Sequence, residues 1–245
     1  MSGARRSSAV APWAGCLVLV LAGCASILVP SREEYELPSQ REYLPPGGRG
    51  RVVVLVSGYD GPGSYTRLAQ DMADPGYYVV LVAGNDLWNG NNPTWNGGEA
   101  LLRGVIMRAG ESPHALPGKV GVVGCSRGGA TALAYAAQMP DLVAAVVAQY
   151  PVTSFIKDPA AFVGTIRAPV LILAGTADQN PRCPIREARA LDMAAKASPA
   201  PDLLRLHEYP RVGHGFSSDN RNRQGVYSDA LNRTLSHLRR YLGDS

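Results

Sequence analysis

The sequence predicts an α/β fold with a mostly parallel central sheet and helices on both of its faces. Six short runs rich in Val, Leu, Ile and Ala have the length and composition of buried strands. Helical patterns separate most of these runs, and strands that alternate with helices form mostly parallel sheets. The predicted strands are residues 51–56, 77–83, 119–124, 142–149, 169–174 and 203–209, and the predicted helices are residues 64–73, 99–108, 127–138, 185–197 and 225–241.

The first 50 residues differ in character from the rest of the chain. Arg5 and Arg6 precede an uncharged, apolar stretch, which is typical of a signal peptide. This stretch reaches Leu21-Ala22-Gly23-Cys24, which resembles the cleavage motif of bacterial lipoproteins. We therefore predict a signal peptide over residues 1–23, a tether over residues 24–50 and one α/β domain over residues 51–245.

The lipoprotein resemblance implies that Cys24 carries a lipid. A cysteine thiol is required there because the lipid is attached through a thioether. The lipid would hold the domain in the envelope of a bacterium, at the periplasmic face of the outer membrane. The alternative is a single transmembrane anchor that runs on to Val29, since no charge interrupts residues 7–31. Both alternatives tether the domain outside the cytoplasm.

A Gly-x-Ser-x-Gly sequence, Gly124 to Gly128, lies between a predicted strand and a predicted helix. In a nucleophile elbow, a sharp strand-to-helix turn exposes the serine hydroxyl at the edge of the sheet. The glycines are needed because the turn brings backbones together where a Cβ would clash. The helix that follows points its N-terminal amides at the reacting centre. Ser126 is therefore the predicted nucleophile, and a Gly/Ser-rich turn without chemistry is the alternative.

A serine nucleophile needs a histidine base, and three histidines follow Ser126. His214 lies in a glycine-flanked loop after the last predicted strand, where α/β sheets place functional groups. His207 lies inside an alternating strand pattern, so we interpret it as a surface or packing residue. His237 lies in a helical pattern and is interpreted as a solvated helix residue. His214 is therefore the predicted base.

The predicted acid is Asp178, which follows the buried-strand run 169–175. A carboxylate there would orient the histidine and stabilise its charged form. Asp is also common in turns for local reasons, because its side chain bonds its own backbone. Asp202, Asp192 and Glu187 are weaker candidates, since the first precedes a strand and the others lie on a helical pattern that looks exposed.

Three motifs in this order are similar to the dienelactone-hydrolase-like branch of the α/β-hydrolase superfamily: Gly124-Cys125-Ser126-Arg127-Gly128-Gly129, Gly175-Thr176-Ala177-Asp178 and Gly213-His214-Gly215-Phe216. The resemblance covers residues 51–242. Dienelactone hydrolases have a cysteine nucleophile at the position that aligns with Ser126, and Cys125 is one residue early. This departure favours a serine esterase of the wider branch, with Cys125 as nucleophile the alternative.

The resemblance also places an oxyanion hole. One donor is the backbone N–H of Arg127, the residue after the nucleophile. The second comes from the loop that follows strand 51–56, where Ser57-Gly58 stands in for the usual His-Gly pair. We therefore predict the N–H of Tyr59 as the second donor. An ordinary glycine-rich turn is the alternative. The Arg127 side chain either faces a substrate carboxylate or is exposed or structurally paired.

Residues 84–98 form a long loop rich in Asn and Gly, and such loops are often functional. Trp88 and Trp95 in this loop are predicted to form flat apolar walls of the substrate pocket. A surface loop held in place by its aromatic residues is the alternative. Tyr150 resembles a pocket-lining position of this branch. Residues 157–167 are too few for a large lid domain, so an open site is expected.

Charge and cysteine content exclude some partners. The net charge is +4, and no basic cluster with interleaved aromatic residues indicates nucleic-acid binding. No His or Cys group has metal-ligand spacing, so neither a metal nor another cofactor is expected. Cys125 and Cys183 remain in the predicted domain, either as a disulfide or as two free thiols.

The expected function is hydrolysis of carboxylic esters or thioesters by a membrane-tethered serine hydrolase. Ser126 attacks the acyl carbon, His214 transfers the proton and Asp178 orients the imidazole. The amides of Arg127 and Tyr59 hold the oxyanion, and water releases the acyl-enzyme. A small-molecule ester is the expected partner. A peptidase or acyltransferase with the same residues is an alternative, as is a catalytically silent envelope protein that uses this fold for binding.

Overall fold

A seven-stranded sheet runs through the part of the chain that this computed structural model describes, which is residues 36–94, 96–216 and 223–243. The strand order is β1-β3-β2-β4-β5-β6-β7. The strands are β1 (Gln40–Tyr43), β2 (Val52–Val56), β3 (Tyr78–Val82), β4 (Val120–Cys125), β5 (Val143–Gln149), β6 (Val170–Gly175) and β7 (Leu204–Tyr209). The predicted signal peptide, Cys24 and Trp95 lie outside the described residues.

The predicted mostly parallel sheet is confirmed. Every neighbouring pair from β3 across to β7 is parallel, for example β2 and β4 with Val54 opposite Val122. All five residues of β2 are buried. Helices cover both faces of a parallel sheet, which is why its inner strands are continuous apolar runs instead of alternating patterns.

The edge strand β1 was not predicted, and the predicted tether over residues 24–50 is wrong for residues 40–43. β1 pairs antiparallel with β3, with Gln40 opposite Val82 and Tyr43 opposite Val79. Its sequence Gln-Arg-Glu-Tyr has no apolar run because an edge strand has one free side and gains from charged residues that discourage further pairing. The fold therefore begins before residue 51.

Six helices accompany the sheet within the described ranges: α1 (Thr66–Ala73), α2 (Asn96–Gly110), α3 (Arg127–Ala134), α4 (Pro159–Thr165), α5 (Ile185–Lys196) and α6 (Arg223–Leu242). α4 was not predicted, and it begins with a Pro after the capping residue Asp158, whose side chain accepts from the N–H of Ala161. The predicted helix 127–138 is instead α3 followed by a separate 3-10 turn, Ala136–Gln138.

The helices divide into two layers, one on each face of the sheet. α1 and α6 pack on the face that carries Val53 and Leu55, and α2 to α5 pack on the face of Val54 and Val56. Each layer buries a core of apolar side chains, which leaves the carboxyl edge of the parallel strands as the place for polar loops. None of the helices in the described residues has both the length and the apolar character needed to cross a membrane.

Candidate active site

Ser126 forms the sharp turn between β4 and α3. Its backbone has φ +53° and ψ −111°, which is rare for a residue with a Cβ and is a strained conformation. Both flanking glycines are required. A Cβ on Gly124 would overlap the carbonyl of Gly128, and a Cβ on Gly128 would overlap the carbonyl of Val56. The geometry is therefore that of a nucleophile elbow, as the sequence predicted.

The structure brings together the three residues predicted as nucleophile, base and acid. The Oγ of Ser126 lies 3.0 Å from Nε2 of His214, and Nδ1 of His214 lies 2.7 Å from Oδ2 of Asp178. Since an ionised carboxylate only accepts, Nδ1 carries the ring proton. Nε2 is then free of a proton and accepts from the Ser126 hydroxyl. The Asp178 side chain is 2% exposed and the His214 side chain 30% exposed, so the imidazole is open to solvent and the carboxylate is not.

Backbone contacts between the loops after β6 and β7 hold Asp178 against His214. The N–H of Ala177 donates to the carbonyl of Val212 at 3.0 Å, and the N–H of Thr176 donates to Tyr209 at 3.0 Å. A Cβ on Gly175 would overlap the carbonyl of Val212, so the approach of the loops requires glycine there. Asp178 therefore reaches His214 because the backbones after β6 and β7 are bonded to each other.

The predicted oxyanion segment lies beside the nucleophile. An ideal Cβ on Gly58 would be 3.3 Å from the Cβ of Ser126, so the loop after β2 approaches Ser126 closely. The carbonyl of Tyr59 accepts from Nδ2 of Asn85 at 2.8 Å, which holds this loop. Arg127 is the first residue of α3, so its N–H has no acceptor within the helix. The N–H of Arg127 thus adjoins Ser126 in the chain, and the loop that carries Tyr59 approaches Ser126 at Gly58.

The Arg127 guanidinium is a structurally paired group, which was one of the two alternatives. It lies between two aromatic rings, 4.6 Å from the centroid of Tyr59 and 4.7 Å from that of Trp88. Its nitrogens donate to the side-chain oxygens of Asn85 at 3.3 Å and Asn91 at 3.2 Å. The guanidinium thus joins the oxyanion loop to the loop after β3.

Trp88 is mostly buried, with 7% of its surface exposed. Its indole N–H donates to Oγ1 of Thr131 on α3 at 3.0 Å. It also lines a cavity of about 250 Å³ together with Val152 and Phe155. Trp88 therefore anchors its loop and also contributes one wall to a cavity. The N–H of Val152 donates to the carbonyl of Ser126 at 3.0 Å, which puts this cavity next to the nucleophile turn.

Tyr150 lies against the ring of His214. Its ring contacts that of His214 edge-on at a centroid distance of 5.1 Å and that of Phe216 at 4.8 Å. Tyr150 and Phe216 both have positive φ, +36° and +54°, which is strained for aromatic residues. The two rings line a second cavity of about 470 Å³ between α1 and α6.

Sequence reasoning missed a buried polar group behind Ser126, which centres on Tyr65. Its hydroxyl packs against Gly58, and it interacts with Asp60 and Tyr150. Burial, followed by electrostatic interactions with Cys125 and Asp60, raises the pKa of Tyr65 well above its ordinary value, so the hydroxyl stays protonated. No motif marks Tyr65, because its role depends on the 3-10 turn Pro62–Tyr65 that follows the oxyanion loop.

Cys125 is not placed as a nucleophile, so that alternative is wrong. It is the last residue of β4 and is fully buried. Burial raises the pKa of its thiol to about 12, and the thiol lies 3.8 Å from Oε1 of Gln149. A neutral, inaccessible thiol cannot attack a substrate. Cys125 and Cys183 are both free thiols, which answers the question of a disulfide.

The two other histidines lie away from the nucleophile. His207 packs edge-on against Tyr209 at 4.7 Å, as a packing residue would. His237 is partly exposed, but it is more than a solvated helix residue, because its Nε2 bonds the carbonyl of Pro169 at 3.2 Å. Burial lowers the pKa of His237 to about 4, so its ring is neutral. Helical spacing did not reveal this contact because it depends on β6.

The weaker acid candidates have other partners. Asp202 pairs with Arg205 at 2.6 Å and Asp192 with Lys196 at 2.6 Å. Glu187 accepts from Oγ1 of Thr153 at 2.9 Å. These contacts leave Asp178 as the carboxylate that bonds His214 among the described residues.

A nucleophile elbow after a central parallel strand, with an acid and a histidine on the loops after two later strands, defines the α/β-hydrolase fold. The sequence of residues 41–242 matches the dienelactone hydrolase family. The chain therefore belongs to the dienelactone hydrolase family.

Individual relatives are distant. Protein usf of Aquifex pyrophilus is 26% identical over 149 residues, which are 59% of this chain and 61% of that protein. The chain thus spans less than two thirds of that curated relative. A candidate dienelactone hydrolase from Klebsiella pneumoniae superposes with a TM-score of 0.66 at 22% identity, over 82% of this chain and 92% of that chain. A monoacylglycerol lipase from Paleococcus ferrophilus has a TM-score of 0.62 at 19% identity, over 82% of this chain and 100% of that chain. At these identities the two structures show a shared fold.

Proposed function

We propose that this protein is a serine esterase that cleaves carboxylic esters or thioesters through an acyl-enzyme on Ser126. The observation that carries the proposal is the continuous hydrogen-bonded chain from Ser126 through His214 to Asp178, with distances of 3.0 and 2.7 Å. A strained serine backed by a histidine of defined tautomer is the arrangement that activates a hydroxyl for attack on an acyl carbon.

The reaction has two halves. Oγ of Ser126 bonds to the acyl carbon while its proton passes to Nε2 of His214. The N–H groups of Arg127 and Tyr59 stabilise the oxyanion, and each such donor contributes about 3 kcal/mol to the transition state. Nε2 then gives its proton to the leaving oxygen or sulfur. In the second half, water loses a proton to His214 and attacks the acyl carbon. The bond from the acyl carbon to Oγ then breaks, Oγ takes the proton back from His214, and the acid and free Ser126 are released.

We place the acyl group in the cavity of about 250 Å³ that Trp88 and Val152 line. Phe155 borders this cavity and also a neighbouring one of about 340 Å³ beside α4. Its ring contacts that of Phe162 edge-on at 5.9 Å, and the two rings line part of the second cavity, together with polar residues that include Lys157 and Asp158. Acyl groups that fit the first cavity are therefore preferred, and Phe155 limits their length.

The tether is proposed on sequence alone. A lipid on Cys24 holds the domain at the periplasmic face of a bacterial outer membrane, with residues 24–39 as the spacer before β1. Labelling of cells with a radioactive fatty acid would detect the lipid, and the substitution Cys24→Ser should abolish both the label and recovery in the membrane fraction. A Cys24→Ser protein that stays in the membrane would favour a transmembrane anchor.

The test of the esterase is hydrolysis of p-nitrophenyl esters of increasing acyl length by the full chain in detergent. Ser126→Ala should remove turnover and labelling by a fluorophosphonate, while Ser228→Ala on the exposed side of α6 should retain both. Phe155→Ala should move the optimum to longer chains. A folded wild type that is neither labelled nor active would favour the binding protein. Labelling without ester hydrolysis would favour a peptidase or acyltransferase.

A further inference from the structure

Cys183 lies close to Asp178 and His214, and all three side chains can bind a metal ion. The ligand atoms of Asp178, Cys183 and His214 all lie within 4.8 Å of one another. Cys183 reaches this position because the loop after β6 turns back before α5. The N–H of Asn180 donates to Oδ1 of Asp178 at 2.9 Å, and that of Cys183 donates to the carbonyl of Asn180 at 2.9 Å. Sequence spacing did not show this group, because His214 comes from a separate loop.

We propose that Asp178, Cys183 and His214 form a binding site for a thiophilic divalent cation such as Zn²⁺, and that the bound cation inhibits the hydrolase. One thiolate, one imidazole and one carboxylate are a donor set that suits zinc, with water as the fourth ligand. The inhibition rests on the proposed function, whereas the binding does not.

The three ligand atoms must move slightly to coordinate a zinc ion. Zinc bonds of about 2.0 Å to N and O and 2.3 Å to S separate tetrahedral ligand atoms by about 3.3 to 3.8 Å. Nδ1 of His214 and Oδ2 of Asp178 are 2.7 Å apart, so they must part slightly to admit the ion. The Sγ of Cys183 lies within 4.8 Å of a ring nitrogen of His214 and of a carboxylate oxygen of Asp178, so it must move in by about 1 Å. Rotation about the cysteine Cα–Cβ bond supplies movements of this size.

The inhibition follows from the proton balance. The cation takes the place of the thiol proton of Cys183, which passes to solvent. It also occupies Nδ1 of His214, and the ring proton that was there moves to Nε2. The neutral imidazole then has no lone pair at Nε2 for the Ser126 hydroxyl, which lies 3.0 Å away. The carboxylate of Asp178 binds the ion instead of the imidazole, so Ser126 loses its base.

The binding test uses Co²⁺ as the probe and the full chain with Ser126→Ala, so no catalysis is required. Co²⁺ should produce a thiolate-to-cobalt charge-transfer band. The band should be absent after the added substitution Cys183→Ser and present after Cys125→Ser. Cys16 and Cys24 are unchanged in both variants, so any contribution from either of them to the band is the same in the two proteins. Absence of the band, or its persistence in Cys183→Ser and in a second variant Cys183→Ala, would overturn the site.

The inhibition test uses Zn²⁺ and the otherwise unchanged protein. Zn²⁺ should reduce p-nitrophenyl ester hydrolysis reversibly, with recovery on addition of EDTA. Cys183→Ser should raise the half-inhibitory Zn²⁺ concentration by about tenfold or more, because loss even of a residue that only orients a metal ligand lowers the affinity about 10- to 100-fold. Equal inhibition of wild type and Cys183→Ser would overturn the proposal. If the wild type hydrolyses no ester, the proposed esterase function is refuted. The cobalt band still shows whether the cation binds at this site.

Discussion

Asp178→Asn perturbs the acid while its shape is kept. The carboxylate accepts two hydrogen bonds, from the N–H of Asn180 at Oδ1, 2.9 Å, and from Nδ1 of His214 at Oδ2, 2.7 Å. An asparagine offers one accepting oxygen and one donating NH2 group. It cannot therefore satisfy both donors. If its oxygen faces His214, its NH2 group faces the N–H of Asn180.

The opposite orientation of the amide satisfies both hydrogen bonds but moves the ring proton of His214 to the other nitrogen. The NH2 group then donates to Nδ1 of His214, so the ring proton lies on Nε2 and the Ser126 hydroxyl has no acceptor. Two donors that face each other in a buried place cost about 1–3 kcal/mol, so the inactive orientation is favoured by that amount. The active form is therefore reduced by roughly 5- to 150-fold.

Loss of the charge adds to this effect. The carboxylate stabilises the imidazolium that forms as Ser126 attacks, and a hydrogen bond to a charged group contributes about 1.5–3 kcal/mol. The Asp178 side chain is only 2% exposed, so water does not replace this interaction. The two effects together give about 2.5–6 kcal/mol, which corresponds to a fall in kcat of roughly 10²- to 10⁴-fold.

The assay is p-nitrophenyl ester hydrolysis under saturating substrate, with the melting temperature of each variant measured beside it. Asp202→Asn is the matched control, since Asp202 was a weaker acid candidate, its side chain is 83% exposed and it pairs with Arg205. The control should change kcat by less than about twofold. A folded Asp178→Asn protein within tenfold of the wild type would refute the assignment of Asp178 as the acid.

Three further predictions follow from the same contacts. Gly175→Ala should lower kcat/KM by about 10²-fold without removing a reacting group, since a Cβ there would overlap the carbonyl of Val212 and displace the loop after β6 from the loop after β7. Unchanged kinetics would show that the two loops accommodate the extra methyl group. Cys125→Ala should keep hydrolysis within about tenfold of the wild type, whereas Ser126→Ala loses it, and the reverse pattern would make the thiol the nucleophile. His237→Gln should flatten the dependence of stability on pH between 6.5 and 4. Burial lowers the pKa of His237 from 6.5 to about 4, so the contribution of the neutral ring to stability is complete above pH 6.5. In the wild type this contribution declines as the pH falls toward 4, by about 1–3 kcal/mol in all. Melting temperatures over this range check the last prediction, and parallel curves for the two proteins would contradict it.

The parts of the site that were predictable are those set by local chemistry. The run 119–124 had to be a buried strand, and the glycines around Ser126 are required by the turn itself. Asp178 and His214 were predictable as residues at the carboxyl edge, because parallel strands end on the same side. Their contact was not, since it depends on backbone bonds between two loops.

The errors have the same origin. Residues 40–43 have no strand pattern of their own and pair only because β3 offers a free edge. His237 lies in a regular helix, yet its ring reaches the carbonyl of Pro169, 68 residues away. Trp88 lines a cavity and also holds its loop against α3, and the second role is visible only from its hydrogen bond to Thr131. Long-range partners leave no periodic signal in the sequence.

The sheet explains why the predicted base is the exposed member of the catalytic group. Ser126 follows the central strand β4, and two strands, β5 and β6, lie between β4 and β7. His214 must therefore reach back over the carboxyl edge to bring Nε2 to the hydroxyl. Tyr150, which follows β5, fills the space beneath the imidazole with its ring. The strained φ of Tyr150 is consistent with this task, since an ordinary turn after β5 would direct the ring elsewhere.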